Sequence, residues 1–96
     1  MVYTIDEIKL RVMPIIRKYN IPAMYLFGSY AKGKATETSD VDLLIATSDS
    51  GLRFFDLVES LRESLCKKVD VLTLEQLNDN TQLLNEILKD GIRIYG

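Results

Sequence analysis

The sequence contains no histidine and only one cysteine in its 96 residues. Without histidine, the protein lacks the commonest general base and the commonest zinc ligand, so carboxylates are left for any acid–base or metal chemistry. The one cysteine, Cys66, cannot form an internal disulfide. Because Cys66 lies in an apolar helical pattern, we expect a reduced, buried thiol at this position.

A strong charge of one sign and long hydrophobic runs are also absent. The net charge is −2, so no positive field draws the chain onto nucleic acid, and we do not expect it to bind duplex nucleic acid. The N-terminus lacks the basic region and apolar run of a targeting signal, and no apolar stretch approaches the length of a membrane span. We therefore expect a cytoplasmic protein that makes no contact with a membrane.

What is present is the composition and patterning of a small globular protein, expected to form a single domain over residues 1–96. Hydrophobic periodicity predicts helix, strand, helical turn, strand, helix, strand, helix and strand, in that order. Thr4 and Glu7 are spaced as a capping box for the first helix, and Gly91 suits the end of the last. The later helices cover 52–66 and 81–89, the turn covers 30–34, and the strands cover 23–27, 41–47, 69–73 and 92–95, the last as an edge strand. This order indicates an α/β layer with one sheet.

Three aspartates are candidates for metal binding. Asp40 and Asp42 bracket Val41 at the start of the second strand, and side chains two residues apart project from one face, roughly 6.5–7 Å apart along the backbone. Two carboxylates there repel each other, and Mg²⁺, which takes one or two carboxylates together with phosphate oxygens, would relieve the repulsion. Asp70 lies between two valines in the third strand, where aspartate is uncommon. If the two strands are neighbours, the three carboxylates converge.

Gly28–Ser29 is a candidate phosphate-binding turn, because it follows the first strand and precedes a helical turn. Glycine lets the backbone approach a ligand closely, and amides at the start of a helix point toward an anion. The Ser29 hydroxyl and the Lys32 ammonium would add a hydrogen-bond donor and a positive charge for a triphosphate. A phosphate-holding turn beside a metal-holding carboxylate set serves phosphoryl or nucleotidyl transfer.

Each of these features also has an ordinary structural interpretation. Gly28–Ser29 alone is usually a turn, Ser39 is consistent with a turn residue, and Lys32 alone is usually solvated. An Asp-Val-Asp sequence is more often a solvated strand entrance than a metal site, and Asp70 has Lys67 and Lys68 nearby as salt-bridge partners. The combination, in this order on these elements, is what favours a catalytic site.

Two motifs resemble the signature of the polymerase-beta-like nucleotidyltransferase superfamily. The motifs are Phe27-Gly28-Ser29-Tyr30-Ala31-Lys32-Gly33 and Ser39-Asp40-Val41-Asp42-Leu43-Leu44-Ile45. Their spacing, with a later aspartate in a valine-flanked strand, is similar to that of the minimal nucleotidyltransferase (MNT) branch, and the similarity extends over essentially the whole chain. The resemblance implies an α/β (α+β) fold like the palm of polymerase beta, with helices packed against a mixed β-sheet.

The resemblance also implies roles for the candidate residues. Asp40, Asp42 and Asp70 would be the catalytic ligands of Mg²⁺, with two ions expected and Mn²⁺ as a substitute, and Asp70 would also be the base for an attacking hydroxyl. Gly28 and Ser29 would hold the triphosphate of ATP, with Lys32 and Ser39 as further nucleotide-binding residues. Many relatives carry arginine in place of Lys32, and lysine keeps the charge without the bidentate fork.

MNT domains that resemble this chain commonly pair with a helical HEPN protein, a ribonuclease toxin in many such operons. The resemblance therefore implies an antitoxin that transfers AMP from ATP to a tyrosine of a HEPN partner. We also expect the chain to need this partner for activity, because nothing in the sequence supplies a second wall for the cleft that holds the triphosphate. Two alternatives stay open: an antitoxin that neutralises by contact alone, and nucleotidyl transfer to a small molecule. The second is weaker, because few residues remain to build a small-molecule pocket.

Overall fold

The computed structural model describes residues 2–96 and contains the elements that the sequence predicts. Their bounds are α1 Ile5–Tyr19, β1 Ala23–Phe27, α2 Gly28–Ala31, β2 Val41–Ala46, α3 Gly51–Leu65, β3 Val69–Thr73, α4 Thr81–Asp90 and β4 Ile92–Tyr95. A short 3-10 turn, Glu75–Leu77, connects β3 to α4. The predicted order is confirmed, and the one displaced element is α2, which begins at Gly28 itself and not at Tyr30.

The four strands form one mixed sheet in the order β3-β2-β1-β4. β1 pairs antiparallel with both β2 and β4, whereas β2 and β3 are parallel and are connected through α3. A parallel pair needs a crossover connection of this kind, usually a helix. The predicted mixed sheet is therefore confirmed, and β4 is an edge strand as expected.

The main core lies between one face of the sheet and the helices α1 and α3. Met24 and Leu26 from β1 and Leu43 from β2 are fully buried there, together with Ile8 of α1 and Leu61 of α3. The two helices run antiparallel, as the contacts at their ends show. The Tyr3 hydroxyl, just before α1, donates a hydrogen bond to the carbonyl of Leu65 at the end of α3. Arg53 at the start of α3 lies over the Tyr19 ring at the end of α1.

The opposite face of the sheet carries a smaller apolar cluster beneath α4. Leu44, Leu77 and Ile87 are its buried members. Tyr25 and Phe27 of β1 pack against this cluster and remain partly exposed. The helix α4 covers only part of this face, so one end of the sheet stays accessible. The candidate site residues lie at that end.

Local signals in the sequence have mixed outcomes in the structure. The capping box is confirmed: the Thr4 hydroxyl accepts from the Glu7 amide at 3.1 Å, and the Glu7 carboxylate accepts from the Thr4 amide at 2.8 Å. The prediction of a buried thiol was wrong. Cys66 is the exposed C-cap of α3 in the left-handed conformation, and the helical periodicity ends there. Gly91 caps α4 in an extended conformation, and a side chain there would collide with the carbonyls of Ile87 and Leu26.

No helix in residues 2–96 combines the length and the apolar character that crossing a membrane requires.

Candidate functional site

Asp42 and Asp70 lie side by side at the accessible end of the sheet. The parallel register of β2 and β3 pairs them directly, and the antiparallel register of β1 and β2 places Phe27 on the other side of Asp42. Paired residues on neighbouring strands point to the same face. This face is the one that carries Leu44, two residues along β2, and not the face of the main core. The condition set by the sequence, that the two aspartate-bearing strands are neighbours, is therefore met.

Asp40 lies just before β2, two residues from Asp42. The Val41 amide donates a hydrogen bond to the Lys68 carbonyl at 3.1 Å, so the pairing of the two chain segments continues beyond the strands. Extending the register by one step places Asp40 opposite Lys68. We call Asp40, Asp42 and Asp70 the carboxylate cluster.

The carboxylate cluster perturbs the ionisation of its central member. The pKa of Asp42 is raised from 3.8 to about 6, first because burial removes water from the carboxylate, and then because the charges of Asp70 and Asp40 oppose a further negative charge. Burial and like charges both favour the neutral acid. The structure thus shows an electrostatic conflict at Asp42 that a bound cation would relieve.

Gly28 brings the candidate phosphate-binding turn against this cluster. Its φ of +72° lies in the left-handed region, which glycine adopts without strain. A Cβ atom at Gly28 would overlap the Oδ2 atom of Asp42. Glycine is therefore required here for its backbone conformation and for the close approach to Asp42.

The turn itself is anchored by its neighbours. Tyr30, which follows Ser29, is buried in the main core, and the Ser29 carbonyl accepts a hydrogen bond from the Lys34 amide at 2.9 Å. The Lys32 amide donates to the Gly28 carbonyl at 3.2 Å, and its side chain is exposed. Burial of Tyr30 anchors the short helix α2 directly after β1.

Ser39 is used differently from the other candidates. Its hydroxyl accepts a hydrogen bond from the Thr36 amide at 2.8 Å and lies 3.3 Å from the Thr36 hydroxyl. These contacts close the loop that leads into Asp40. The structure thus gives Ser39 a role in loop geometry, and its contact with a nucleotide stays a prediction.

The metal-binding assignment likewise stays a prediction. Within residues 2–96, no three acidic, cysteine or histidine side chains lie close enough together to hold a metal ion between them. Asp42 is influenced by both Asp70 and Asp40, but the three carboxylates do not converge on a common point. The salt bridge considered for Asp70 is not among the ion pairs found in residues 2–96, which include Arg53–Asp49 and Arg62–Glu59.

Two concavities lie near the carboxylate cluster. The α2 groove, of about 460 Å³, lies between α2 and α4 and is lined by Gly28, Lys32, Leu83 and Ile87 among others. The second, of about 600 Å³, lies where β2 and β3 begin; we call it the β3 pocket, and its lining includes Asp40. The α2 groove thus adjoins the Gly28 turn, whereas the β3 pocket reaches the carboxylate cluster only at Asp40.

Sequence reasoning missed two residues of this site. Phe27 borders Asp42 across the antiparallel pair, and Lys68 is opposite Asp40. Phe27 had a signal, because it directly precedes Gly28 and alternation places it on the face opposite to Leu26. Lys68 had none, since its placement depends on the register between β2 and β3. The arrangement as a whole, a glycine turn against paired carboxylates, suits charge stabilisation of a transferring phosphoryl group.

Comparison with known proteins agrees with this geometry. The profile of the family described as polymerase beta, nucleotidyltransferase matches residues 11–96. A protein of Methanocaldococcus jannaschii, named as a protein adenylyltransferase, is 39% identical over 87 residues, which cover 85% of this chain and 92% of that protein.

Solved structures show the same fold. A toxin–antitoxin crystal structure with AMP-PNP superimposes with a TM-score of 0.76 at 24% identity, over 92% of this chain and 73% of that one. A chain from the complex of a tri-AMPylated Shewanella oneidensis HEPN toxin with its MNT antitoxin gives a TM-score of 0.70 at 21% identity, over 96% of this chain and 72% of that one. At these identities the likeness establishes the architecture of the sheet and its helices.

Proposed function

This chain belongs to the polymerase beta nucleotidyltransferase family, and from that premise we propose that it transfers AMP from ATP to a tyrosine hydroxyl of a HEPN partner protein. In this role it is the antitoxin of a toxin–antitoxin pair and works in the cytoplasm, where ATP is available. The observation that carries the proposal is the contact of Gly28 with Asp42, which is itself paired with Asp70. That contact brings the Gly28 turn and two of the carboxylates together at one end of the sheet, which supports the proposal.

Gly28 and Ser29 bind the triphosphate in this proposal. The first amides of α2 and the Ser29 hydroxyl donate hydrogen bonds to phosphate oxygens, because anions are favoured at the start of a helix. Lys32, exposed on the next turn, contributes positive charge to the outer phosphates. The close approach of the Gly28 backbone to Asp42 holds the phosphate chain beside the carboxylate cluster.

In this proposal Asp40, Asp42 and Asp70 would hold Mg²⁺, with two ions proposed and Mn²⁺ as a substitute, and the three carboxylates would close on the metal as it binds. The donor set fits this metal, because carboxylate oxygens are the hard ligands that Mg²⁺ takes alongside phosphate oxygens and water. The raised pKa of Asp42 supports the assignment, since a cation among the carboxylates removes the repulsion. When bound, the metal supplies charge neutralisation for the phosphates and for the developing negative charge.

The transfer is an in-line substitution at the α-phosphorus. The acceptor hydroxyl oxygen forms a bond to the α-phosphorus, the bond from that phosphorus to the oxygen bridging to the β-phosphate breaks, and pyrophosphate leaves. Asp70, exposed on β3, accepts the hydroxyl proton. The chain's own contribution is to position the reactants and stabilise charge, which dominates catalysis of phosphoryl transfer.

The proposal is tested by labelling a HEPN protein as the acceptor, taken from the gene next to that of this chain where that gene encodes one. The purified pair is incubated with labelled ATP and Mg²⁺, and the label is mapped by mass spectrometry. We expect adenylylated tyrosine on the HEPN protein with the wild-type chain, and none with Asp42→Asn or Asp70→Asn. A control without the HEPN protein tests whether the chain needs its partner for activity.

Other outcomes decide between the alternatives. Neutralisation of the toxin without any label, at equal strength in the wild type and in Asp42→Asn, would show an antitoxin that acts by contact. Efficient labelling of a small alcohol or amine in the absence of the partner would instead show a small-molecule nucleotidyltransferase.

A further inference from the structure

The outer side of β3 is a free edge of the sheet, and this strand carries Asp70. β3 is the last strand in the order β3-β2-β1-β4, and within residues 2–96 no strand pairs with its outer side. Its register with β2 is regular along the whole strand, whereas β4, at the other edge, has a register shift against β1. A regular free edge presents unpaired backbone amides and carbonyls to a further strand.

A hydrogen bond at the end of β3 shows which of its backbone groups point outward. The Leu74 amide donates to the Ile45 carbonyl of β2 at 3.2 Å. Backbone groups alternate in direction along a strand, so the even-numbered residues of β3 bond to β2 and the odd-numbered ones point away from it. The Thr73 amide agrees with this alternation, because it donates to the Gln76 side chain at 2.9 Å and not to β2.

Val71 is therefore the residue at which this edge is open. Its amide and carbonyl point outward, it is partly exposed, and it directly follows Asp70, which is exposed. Val69, the outward-pointing residue before it, is fully buried, and the Thr73 amide is occupied by Gln76. A segment that pairs with this edge therefore bonds to Val71 and lies alongside Asp70.

The helix α3 adds an apolar surface beneath the open edge. Arg53 and Ser64 of α3 contact α1, so the helical period places Phe55 and Val58 on the opposite flank. Because α3 packs against both α1 and β3, that flank is on the side of β3. Phe55 is 59% exposed and Val58 is partly buried. Val71 packs against the main core and so points to the face that α3 covers. We call Val71, Phe55 and Val58 the edge surface.

We propose that the edge surface binds the acceptor protein as an added β-strand, with the tyrosine opposite Asp70 and an apolar residue next to it opposite Val71. This inference rests on the proposed function, because it specifies how the acceptor of that reaction binds. Paired residues on neighbouring strands point to the same face, so the tyrosine side chain lies on the face of Asp42 and Asp70. An added strand gains main-chain hydrogen bonds at the edge, and its alternate side chains provide the selection.

The chemistry of the edge favours an acceptor segment over a second copy of this chain. Two β3 strands paired antiparallel about Val71 would set each Asp70 opposite a Leu72, and each carboxylate would lose water without gaining a hydrogen-bond donor. A tyrosine hydroxyl opposite Asp70 supplies that donor, and an apolar neighbour covers the exposed Phe55. In a helical partner, the segment that fits is one outside its helices.

The first test changes the apolar part of the edge surface and leaves β3 unaltered. Initial rates of labelling are measured for wild type, Phe55→Glu and Leu52→Glu, with the HEPN protein varied at saturating ATP and ATP varied at saturating HEPN protein. Leu52→Glu is the matched control, because it makes the same kind of change at an exposed apolar residue of α3 outside the edge surface. We expect Phe55→Glu to raise the KM for the HEPN protein about tenfold and the KM for ATP by less than about twofold, and Leu52→Glu to change neither.

The second test removes the outward backbone donor. Val71→Pro deletes an amide that points away from β2, so the ladder between β2 and β3 is kept, as for prolines on edge strands. Val71→Ala is the control, because it shortens the same side chain and keeps the amide. We expect a larger rise in the KM for the HEPN protein in Val71→Pro than in Val71→Ala. Thermal unfolding checks that each variant is folded, and Phe55→Glu decides the matter if Val71→Pro is not.

Four outcomes would overturn the inference. An unchanged KM for the HEPN protein in Phe55→Glu, or an equal rise in Leu52→Glu, would remove the edge surface from acceptor binding while leaving the proposed function intact. Equal effects of folded Val71→Pro and Val71→Ala would exclude strand addition. A chain that sediments as a dimer in wild type and as a monomer in Phe55→Glu would assign the edge to a second copy. If wild type labels no HEPN protein at any concentration, the proposed function fails, and this inference fails with it.

Discussion

Replacing Asp42 by asparagine should stabilise the metal-free protein near neutral pH while abolishing its activity. The pKa of Asp42 lies at about 6 in the folded protein against an ordinary value of 3.8. Because the folded state binds this proton more tightly, the stabilising effect is fully present below pH 3.8 and is lost as the pH rises through 6. At pH 7.5 the charged carboxylate therefore opposes folding, and asparagine removes that charge.

The size of the effect follows from the difference between the two pKa values. At 1.36 kcal/mol per pKa unit, the difference between 3.8 and 6 corresponds to about 3 kcal/mol. The side chain is only half-buried, and solvent screening reduces this figure to about 1 kcal/mol. For a chain of this length, such a gain raises the melting temperature by roughly 4–8 °C.

The assay is urea denaturation in a chelator at pH 7.5 and at pH 4.5, for wild type, Asp42→Asn and Asp56→Asn. Asp56 is an exposed aspartate of α3 outside the carboxylate cluster and serves as the control. We expect Asp42→Asn to be more stable than wild type at pH 7.5, with most of the difference gone at pH 4.5, and Asp56→Asn to show no such pattern. Equal differences at the two pH values, or a less stable Asp42→Asn at pH 7.5, would refute the electrostatic reasoning.

Three further outcomes are expected. Gly28→Ala should destabilise the protein by at least about 2 kcal/mol in urea denaturation, because the left-handed backbone and the contact with Asp42 exclude a Cβ. The same variant should lose ATP binding in calorimetry, and a wild-type affinity for ATP would contradict the placement of the turn. Thr4→Ala should lower the free energy of unfolding by about 1 kcal/mol, because it removes the capping box, and should leave the KM for ATP unchanged. An unaltered free energy of unfolding would rule out that contribution. Removing Mg²⁺ with a chelator should weaken ATP binding measured by calorimetry, and equal affinity with and without metal would count against the assignment of the carboxylate cluster.

Local patterns in the sequence were sufficient for the elements and for the chemistry within each one. The 3.6-residue period identified the helices, and short apolar runs with one alternating segment identified the strands. The strands β1, β3 and β4 have the predicted bounds. The spacing of Asp40 and Asp42 alone predicted that both carboxylates lie on one face at the entrance of β2, since alternation is a property of the strand itself. The capping box could also be predicted from the sequence, because its contacts join residues only three positions apart.

The tertiary structure decided which residues of different elements meet. Asp42 and Asp70 are neighbours because α3 carries the chain back to a strand parallel to β2 in one particular register, and a shift of one residue would turn Asp70 into the main core. That register also places Lys68 opposite Asp40, and the fold of the first turn of α2 puts Gly28 against Asp42. Cys66 shows where a local pattern fails. Periodicity predicted that its side chain is buried, but the helix α3 ends before it and the side chain is exposed. Periodicity is encoded in neighbouring residues, whereas strand order and register are set by burying the apolar faces of the whole sheet, which no single segment specifies.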